Sequence, residues 1–302
     1  MNFESSYGWW DSLKHGGMLI APSKLPAFFP QSSEPVSENT IIKLRKALTQ
    51  LSGRAKDIES EALHTVLVDL CGINQEWKKA GDVGKEYSLK ALTGETIRPR
   101  WILDNPQYTL LPVFVDTSVK RIGIGKGRRT YARTVEWLRG KGEKIALLTN
   151  LFQWRLVYAG MDFDAWVQWD TDLWFEEGKT SAQLEAMRIL ISQASFRKNE
   201  STGLSSIIEA IQESRKGQAE LSSELGERVR LAVELLIQDH SRGLQSPPQG
   251  VTPKEIYLAA TRMVMRMVVA LFAEARDLLP RDNSIYHSSY GLQGLLECLE
   301  KT

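Results

Sequence analysis

The chain of 302 residues has little cysteine, little histidine and almost no net charge. Its two cysteines, Cys71 and Cys298, form neither a disulfide framework nor the CxxC spacing of a metal site. The four histidines are scattered along the sequence without metal-ligand spacing. With a formal charge of +1, the chain has no global field that attracts it to nucleic acid or to a membrane. Any affinity for DNA must therefore come from a local basic patch.

Long hydrophobic runs and a targeting signal are also lacking. The N-terminus does not show the basic-then-apolar pattern of a signal peptide. The longest apolar helix candidate, residues 256–279, is interrupted by Arg262 and Arg266, which is unlike a membrane span. These observations predict a cytoplasmic protein without a membrane partner.

What the sequence does contain predicts an α+β fold. Residues 1–39 form an arm in which prolines recur and no helical period is sustained. Residues 40–178 begin with helical patterning and continue with short β-like runs around an amphipathic helix from Arg129 to Arg139. Residues 179–302 have helical spacing, which predicts a mostly helical C-terminal part. The order of helices, mixed core and helices is typical of the α+β class.

Two aspartates follow β-like runs with the spacing of a restriction-type nuclease core. In such a core an acidic residue is followed by an acid-x-Lys tripeptide on the next strand, and the carboxylates bind Mg²⁺. Asp104 and Asp116 occupy the acidic positions, but Ser118 stands where the lysine is expected. Lys120 shares strand parity with Asp116 and replaces that lysine only if the strand continues. The alternatives are an active metal site, a degenerate core, or two ordinary surface aspartates.

A glycine-rich stretch with clustered positive charge follows these aspartates. The Gly123-x-Gly-x-Gly pattern lacks the GxxxxGK[ST] spacing of a nucleotide-binding loop, so such a site is not predicted. One interpretation is a flexible basic loop that contacts the DNA backbone through Arg121, Lys126, Arg128 and Arg129. The other is a solvated basic turn.

Two further motifs carry alternative interpretations. Residues 105–108 (NPQY) superficially resemble the NPPY loop of adenine methyltransferases, but one proline is absent and no glycine-rich cofactor strand precedes them. We therefore predict no methyltransferase site in the chain. The aromatic and acidic segment 162–177 is either a protein-docking surface or a set of core anchors, because tryptophan serves both roles.

Three stretches together carry a family resemblance. Residues 129–139 (RTYARTVEWLR) with 146–158 (ALLTNLFQWRLVY) resemble the helix and hairpin of nuclease-like N-terminal regions in restriction–modification proteins. Residues 271–280 (LFAEARDLLP) with 285–292 (IYHSSYGL) resemble the helical lead-in to the catalytic domain of type IIG and DISARM-type adenine DNA methyltransferases. The resemblance covers residues 55–300 approximately.

This resemblance implies a degenerate PD-(D/E)xK-like domain at 40–178 and a helical connector at 179–302. The implied function is a DNA-directed module of a bacterial restriction–modification or phage-defence methyltransferase, with duplex DNA and a methyltransferase domain or other defence subunits as partners. S-adenosylmethionine would bind only in a downstream domain that this chain does not contain, and no cofactor is expected here. The competing functions are a Mg²⁺-dependent endonuclease, in which Asp104, Asp116 and Lys120 are catalytic, and a protein-docking scaffold.

Overall fold

The computed structural model of the chain describes residues 7–51, 56–176, 179–239, 251–275, 278–280 and 283–300. The contacts divide the chain into two units, Met1–Arg215 and Lys216–Thr302. The sequence predicts a domain boundary after residue 178, and residues 177–178 lie outside the described residues.

Helices and strands alternate in the first unit, and in the described part of the second unit the elements are helices. In chain order the helices are α1 (Gly8–Asp11), α2 (Leu25–Phe28), α3 (Glu38–Gln50), α4 (Lys56–His64, continued by a π-helical turn at Thr65–Leu70), α5 (Gly127–Lys141), α6 (Ala182–Leu190), α7 (Gln193–Phe196), α8 (Ser206–Asp239), α9 (Pro253–Ala275), α10 (Ser284–Ser289) and α11 (Leu292–Glu300). The strands are β1 (Lys14–Gly16), β2 (Trp77–Lys79), β3 (Leu89–Lys90), β4 (Thr96–Ile97), β5 (Trp101–Leu103), β6 (Leu111–Val115), β7 (Ile145–Thr149), β8 (Gln153–Ala159), β9 (Asp164–Asp170), β10 (Phe175–Glu176) and β11 (Lys179–Thr180).

Within the described residues, seven strands form one mixed sheet in the order β1-β9-β8-β7-β6-β5-β2. Neighbouring strands are antiparallel except β6 and β7, which are parallel and are connected by α5. A parallel pair needs such a crossover, whereas an antiparallel pair needs only a tight turn. The chain is therefore α+β with a helical C-terminal part, as the order of sequence patterns predicts.

The sheet is covered by apolar side chains on both faces. Leu147 of β7 and Leu156 of β8 belong to a large buried cluster with residues of α3, α4 and α6. Ala146 and Leu148 point the other way, into a smaller cluster with Trp137 of α5. This division follows from the two-residue period of a strand. The positions of α5 and β8 thus determine which side chains surround the candidate site.

The N-terminal arm is more ordered than its proline content suggests. Three residues of it form β1, the edge strand, in which His15 lies opposite Val167 of β9. Gly16 in this strand makes room for Trp166, because a Cβ at position 16 would lie 2.0 Å from that ring. Trp9 and Trp10 are buried in the large cluster. Aromatic residues thus anchor the arm to the core, and its three-residue strand is too short to predict from the sequence.

The helical region differs from the sequence-based expectation in one place. The patterning predicts separate helices at 204–214 and 219–240, whereas α8 runs without a break from Ser206 to Asp239. Gly217 lies inside it, and a glycine costs a helix interior only about 1 kcal/mol relative to alanine. Between the helices, the glycines and prolines from Ser241 to Pro253 predict a linker, and most of that stretch falls outside the described residues.

The second unit contains a strongly apolar helix. Among the described residues, α9 is long and apolar enough over Pro253–Glu274 to cross a membrane, by length and composition, with a mean hydropathy of 1.6 and 11% of that stretch buried. One such helix is weak support for a span, and Arg262 and Arg266 interrupt it. The finding is compatible with a soluble protein, and the cytoplasmic location stays a prediction.

Candidate functional site

The structure places the two predicted metal-binding aspartates at opposite ends of a strand pair. In the antiparallel pair of β5 and β6, Leu103 lies opposite Leu111. Asp104 follows β5 and Asp116 follows β6. Six residues of extended chain, at about 3.3 Å each, therefore separate Asp104 from Asp116 along the strand direction. The two aspartates lie roughly 20 Å apart. The carboxylates therefore cannot ligate one Mg²⁺, whose ligand oxygens lie about 2.0–2.1 Å from the ion.

Each aspartate has local partners instead. Asp104 accepts hydrogen bonds from Lys78 Nζ at 2.5 Å and from the Tyr87 hydroxyl, and these bonds hold its pKa below the usual value. Asp116 accepts from the Ser118 hydroxyl at 2.6 Å and from Thr130 at 2.5 Å. Burial opposes ionisation of Asp116, but these hydrogen bonds outweigh it and keep its pKa below the usual value. Each carboxylate thus has hydrogen-bond donors of its own and shares none with the other.

Lys120 does not lie beside Asp116 as a catalytic lysine would. Strand β6 ends at Val115, so the strand parity on which that role depends is absent. The backbone carbonyl of Lys120 accepts a hydrogen bond from Asn150 Nδ2 at 3.1 Å, and its side chain lines a different cavity from Asp116. Within the described part of the chain, no group of three or more His, Cys, Asp or Glu residues could hold a metal ion.

The glycine-rich stretch between β6 and α5 forms a compact turn. Gly123 and Gly125 have φ angles of 79° and 56°, in the left-handed region that favours glycine. The Gly123 amide donates to the Gly127 carbonyl at 3.1 Å, and the Gly127 amide donates to the Ile124 carbonyl at 3.0 Å. The turn thus holds its flanking cations on a defined backbone. We call residues 120–129 the basic segment.

Four cations of the basic segment are exposed and form no ion pair with any residue that the structure describes: Lys120, Arg121, Lys126 and Arg128. The fifth, Arg129, forms an ion pair with Glu95, which also binds Arg133 at 2.6 Å. Helix α5 has no acidic residue in its first turn that could neutralise the cations of the basic segment. The structure therefore separates Arg129 from the other predicted phosphate contacts.

A buried arginine, which the sequence patterns do not predict, lies beneath the basic segment. Arg155 of β8 is only 4% exposed. Its guanidinium lies 3.6 Å from the centroid of the Trp166 ring and donates to Gln168 Oε1, at 2.6 Å from Nη2, and to the Ile122 carbonyl at 3.2 Å. Burial lowers its pKa to about 10. The alternation of side chains along β8 could have revealed Arg155, because Gln153 and Arg155 occupy the same face as the apolar Val157 and Ala159.

A carboxylate completes this polar group without pairing directly with Arg155. Asp170 of β9 accepts hydrogen bonds from Lys14 at 2.5 Å, from Gln153 at 2.6 Å and from Gln168 at 3.1 Å. Burial opposes its ionisation, but these donors hold its pKa below the usual value. The polar face of β8 and β9 is thus connected by hydrogen bonds from the edge strand β1 to Arg155.

The aromatic and acidic segment 162–177 is largely part of the core. Trp169 and Trp174 are fully buried in the large cluster, and Trp166 supports Arg155. Residue 177 lies outside the described residues. Burial of these rings within the chain weakens the interpretation of the segment as a protein-docking surface.

The chain matches no protein-family model, no curated protein and no solved structure. The resemblance to restriction–modification proteins therefore stays a prediction. The proposed function rests on the geometry of the first unit.

Proposed function

We propose that the chain is a DNA-directed module, in which the basic segment contacts the phosphate backbone of duplex DNA. The observation that carries the proposal is the exposure of Lys120, Arg121, Lys126 and Arg128 without ion-pair partners among the described residues. Lysine and arginine that neutralise phosphates release counterions, and this supplies sequence-independent affinity. The sequence resemblance adds the context of a bacterial restriction–modification or phage-defence methyltransferase, with that domain or other defence subunits as partners.

The proposal includes no cleavage step by Asp104, Asp116 and Lys120. The two aspartates are far apart, and Ser118 binds Asp116 where a nuclease would have its lysine. A binding role needs only the exposed cations and a rigid support. Helix α5 and the glycine turn provide that support because both are fixed to the sheet by the small apolar cluster and by backbone hydrogen bonds.

The test is duplex DNA binding measured across salt concentration by fluorescence anisotropy. The wild-type chain is expected to lose affinity steeply with salt, with a slope of about 0.9 for each phosphate that it neutralises. A variant with Lys120, Arg121, Lys126 and Arg128 all changed to Ala should lose most of that affinity and most of the slope.

The matched control removes four positive charges elsewhere in the first unit. Lys46, Lys85, Lys90 and Lys144 are exposed and form no ion pair among the residues described. Changing all four to Ala should leave the slope close to that of the wild type. An equal loss in both variants would mean that net charge and not the basic segment determines binding, and the proposal would be wrong.

A further inference from the structure

Arg155 is a buried cation without a carboxylate of its own. Among the described residues it forms no ion pair, and the carboxylate of Asp170, which shares the Gln168 amide with it, is already bonded to Lys14, Gln153 and Gln168. Burying a charge is costly unless the charge is paired. The Trp166 ring and Gln168 compensate only part of that cost, since both are neutral. The site therefore has a positive charge in excess.

One nitrogen of the Arg155 guanidinium has no hydrogen-bond partner among the described residues. Nε and Nη2 donate to Gln168, and Nη2 also donates to the Ile122 carbonyl. For Nη1 no hydrogen bond exists within the described residues, although the atom is not sealed in the interior. Gly123 leaves the space beside it open, because a Cβ at that position would lie 2.9 Å from Nη1. Arg155 and Gly123 both line one cavity, and the two protons of Nη1 have no acceptor among the described residues.

The cavity has the size and lining of a small-molecule site. Its volume is about 710 Å³, within the roughly 300–1,000 Å³ that is usual for ligand pockets. Lys14, Lys120 and Arg121 line it with Arg155, and these four cations outnumber the two carboxylates of the lining, Asp170 and Asp172. Phe152, Ile124 and Leu173 supply exposed apolar side chains. This combination suits a ligand that has an anionic group and a flat apolar part.

We propose that this cavity binds the phosphate group of a nucleotide, with Arg155 Nη1 as the buried donor and Lys120 and Arg121 at the entrance. Phosphate presents several acceptor oxygens, and its hydrogen bonds to a guanidinium are charge-assisted. The apolar side chains at the rim then contact the base. The inference rests on the proposed DNA-directed function only for the source of the nucleotide, which is either a unit of a DNA strand or free in solution.

The test is isothermal titration calorimetry of the full chain with three probes: deoxyadenosine 5′-monophosphate, inorganic phosphate and uncharged deoxyadenosine. The monophosphate and inorganic phosphate should bind, and the nucleoside should bind about tenfold more weakly than the monophosphate or worse, since it lacks the charged acceptor. Absence of monophosphate binding, or equal binding of the nucleoside, would overturn the proposal.

Two variants separate a binding defect from a folding defect. Arg155→Gln removes the donor and should weaken monophosphate binding about tenfold or more, but it alters the core of the sheet. Ile124→Asp places a negative charge at the cavity from a side chain that is 60% exposed, so folding is preserved. It should weaken binding similarly, whereas Ile42→Asp, 65% exposed on α3, should not. Wild-type affinity in Ile124→Asp would contradict the site.

Competition identifies the source of the nucleotide. If saturating monophosphate displaces duplex DNA, the cavity takes a nucleotide of the DNA strand, and if DNA affinity is unchanged, the ligand is a free nucleotide. Both results retain the phosphate site. Lys126→Ala with Arg128→Ala, which lie outside the cavity lining, should weaken DNA binding and leave monophosphate binding intact. Failure of the DNA proposal is thereby distinguished from failure of the phosphate site.

Discussion

The positively charged side chains of this protein lie in two different environments. The cations of the basic segment are exposed, and among the described residues a carboxylate, Glu95, pairs with Arg129 alone of them. Arg155 is buried on a tryptophan ring with hydrogen bonds to neutral groups. Surface ion pairs contribute little to stability, whereas a buried charge must have partners. We therefore propose that the exposed cations bind the phosphate backbone of DNA and that Arg155 binds the phosphate group of one nucleotide.

The stability of the sheet depends on its fully buried leucines. Leu156 of β8 is completely buried in the large cluster. Leu156→Ala should lower the free energy of unfolding by about 2–5 kcal/mol, because it removes buried apolar groups and leaves a cavity. Urea denaturation measures the change. Leu92, which is 100% exposed, gives the matched control, and Leu92→Ala should have almost no effect.

Asp170 makes stability depend on pH in a defined direction. Its pKa is lower in the folded protein than the ordinary value of 3.8, so the ionised form stabilises the fold above that value and the contribution is lost as pH falls through the folded pKa. Asp170→Asn should therefore destabilise the protein at about pH 7 and show a smaller difference from the wild type at about pH 3. Denaturation at both pH values measures this.

Asp172→Asn is the control for that comparison, since Asp172 is exposed and has no ion pair within the described chain. It should change stability little at either pH. A deficit of Asp170→Asn that is the same at both pH values would show that packing, and not charge, is responsible.

At the scale of secondary-structure elements, α5 determines where the basic segment lies. It crosses between the parallel strands β6 and β7, and it ends at Gly142, whose φ is 76°. Gly142→Ala should cost about 1 kcal/mol of unfolding free energy, because an L-residue is strained in the left-handed region. No heavy atom lies within 4 Å of the added Cβ, so the cost is purely conformational. Thermal and urea unfolding measure it.

Asparagine tolerates this conformation better than alanine does. Gly142→Asn should therefore be less destabilising than Gly142→Ala. The opposite order would contradict a conformational cause.

Elements with a strong local signal were predictable from the sequence. The hairpin of β7 and β8 follows from two apolar runs around Asn150, and the Asn150 side chain indeed accepts hydrogen bonds from the amides of Phe152 and Gln153. Strand β1 and the hairpin of β3 and β4 are two or three residues long and are stabilised by neighbours distant in sequence. No local pattern specifies such elements, and the prediction missed them for that reason.

Of the three alternatives for Asp104 and Asp116, a shared metal site is disfavoured for an element-scale reason. Asp104 and Asp116 were grouped because both follow β-like runs. Consecutive strands with a short connection are antiparallel, so their C-terminal ends lie at opposite edges of the sheet. The short connection between the two strands, which is visible in the sequence, therefore already argues against a shared metal ion. Arg155 was missed because a charge in an otherwise apolar strand is noticed only when side-chain alternation is followed residue by residue.

At the scale of the whole molecule, the two units have separate cores. The large and the small apolar clusters both lie within residues 7–211, whereas Val233, Ala260 and Val264 form a cluster in the second unit. A fragment of residues 1–215 should therefore fold by itself and unfold in one cooperative transition. Near-ultraviolet circular dichroism during urea denaturation tests this. A fragment without a cooperative transition would show that the first unit needs the second.

The central claim, that exposed unpaired cations of the basic segment contact DNA phosphates, is tested most directly on two neighbouring arginines. Salt-dependent duplex binding should be measured for Arg128→Ala and Arg129→Ala. Arg128 is unpaired among the residues described, so its loss should lower affinity and reduce the salt slope by about 0.9. Arg129 is held by Glu95, so its loss should leave both close to the wild type. Equal effects of the two substitutions, or no effect of either, would contradict the account.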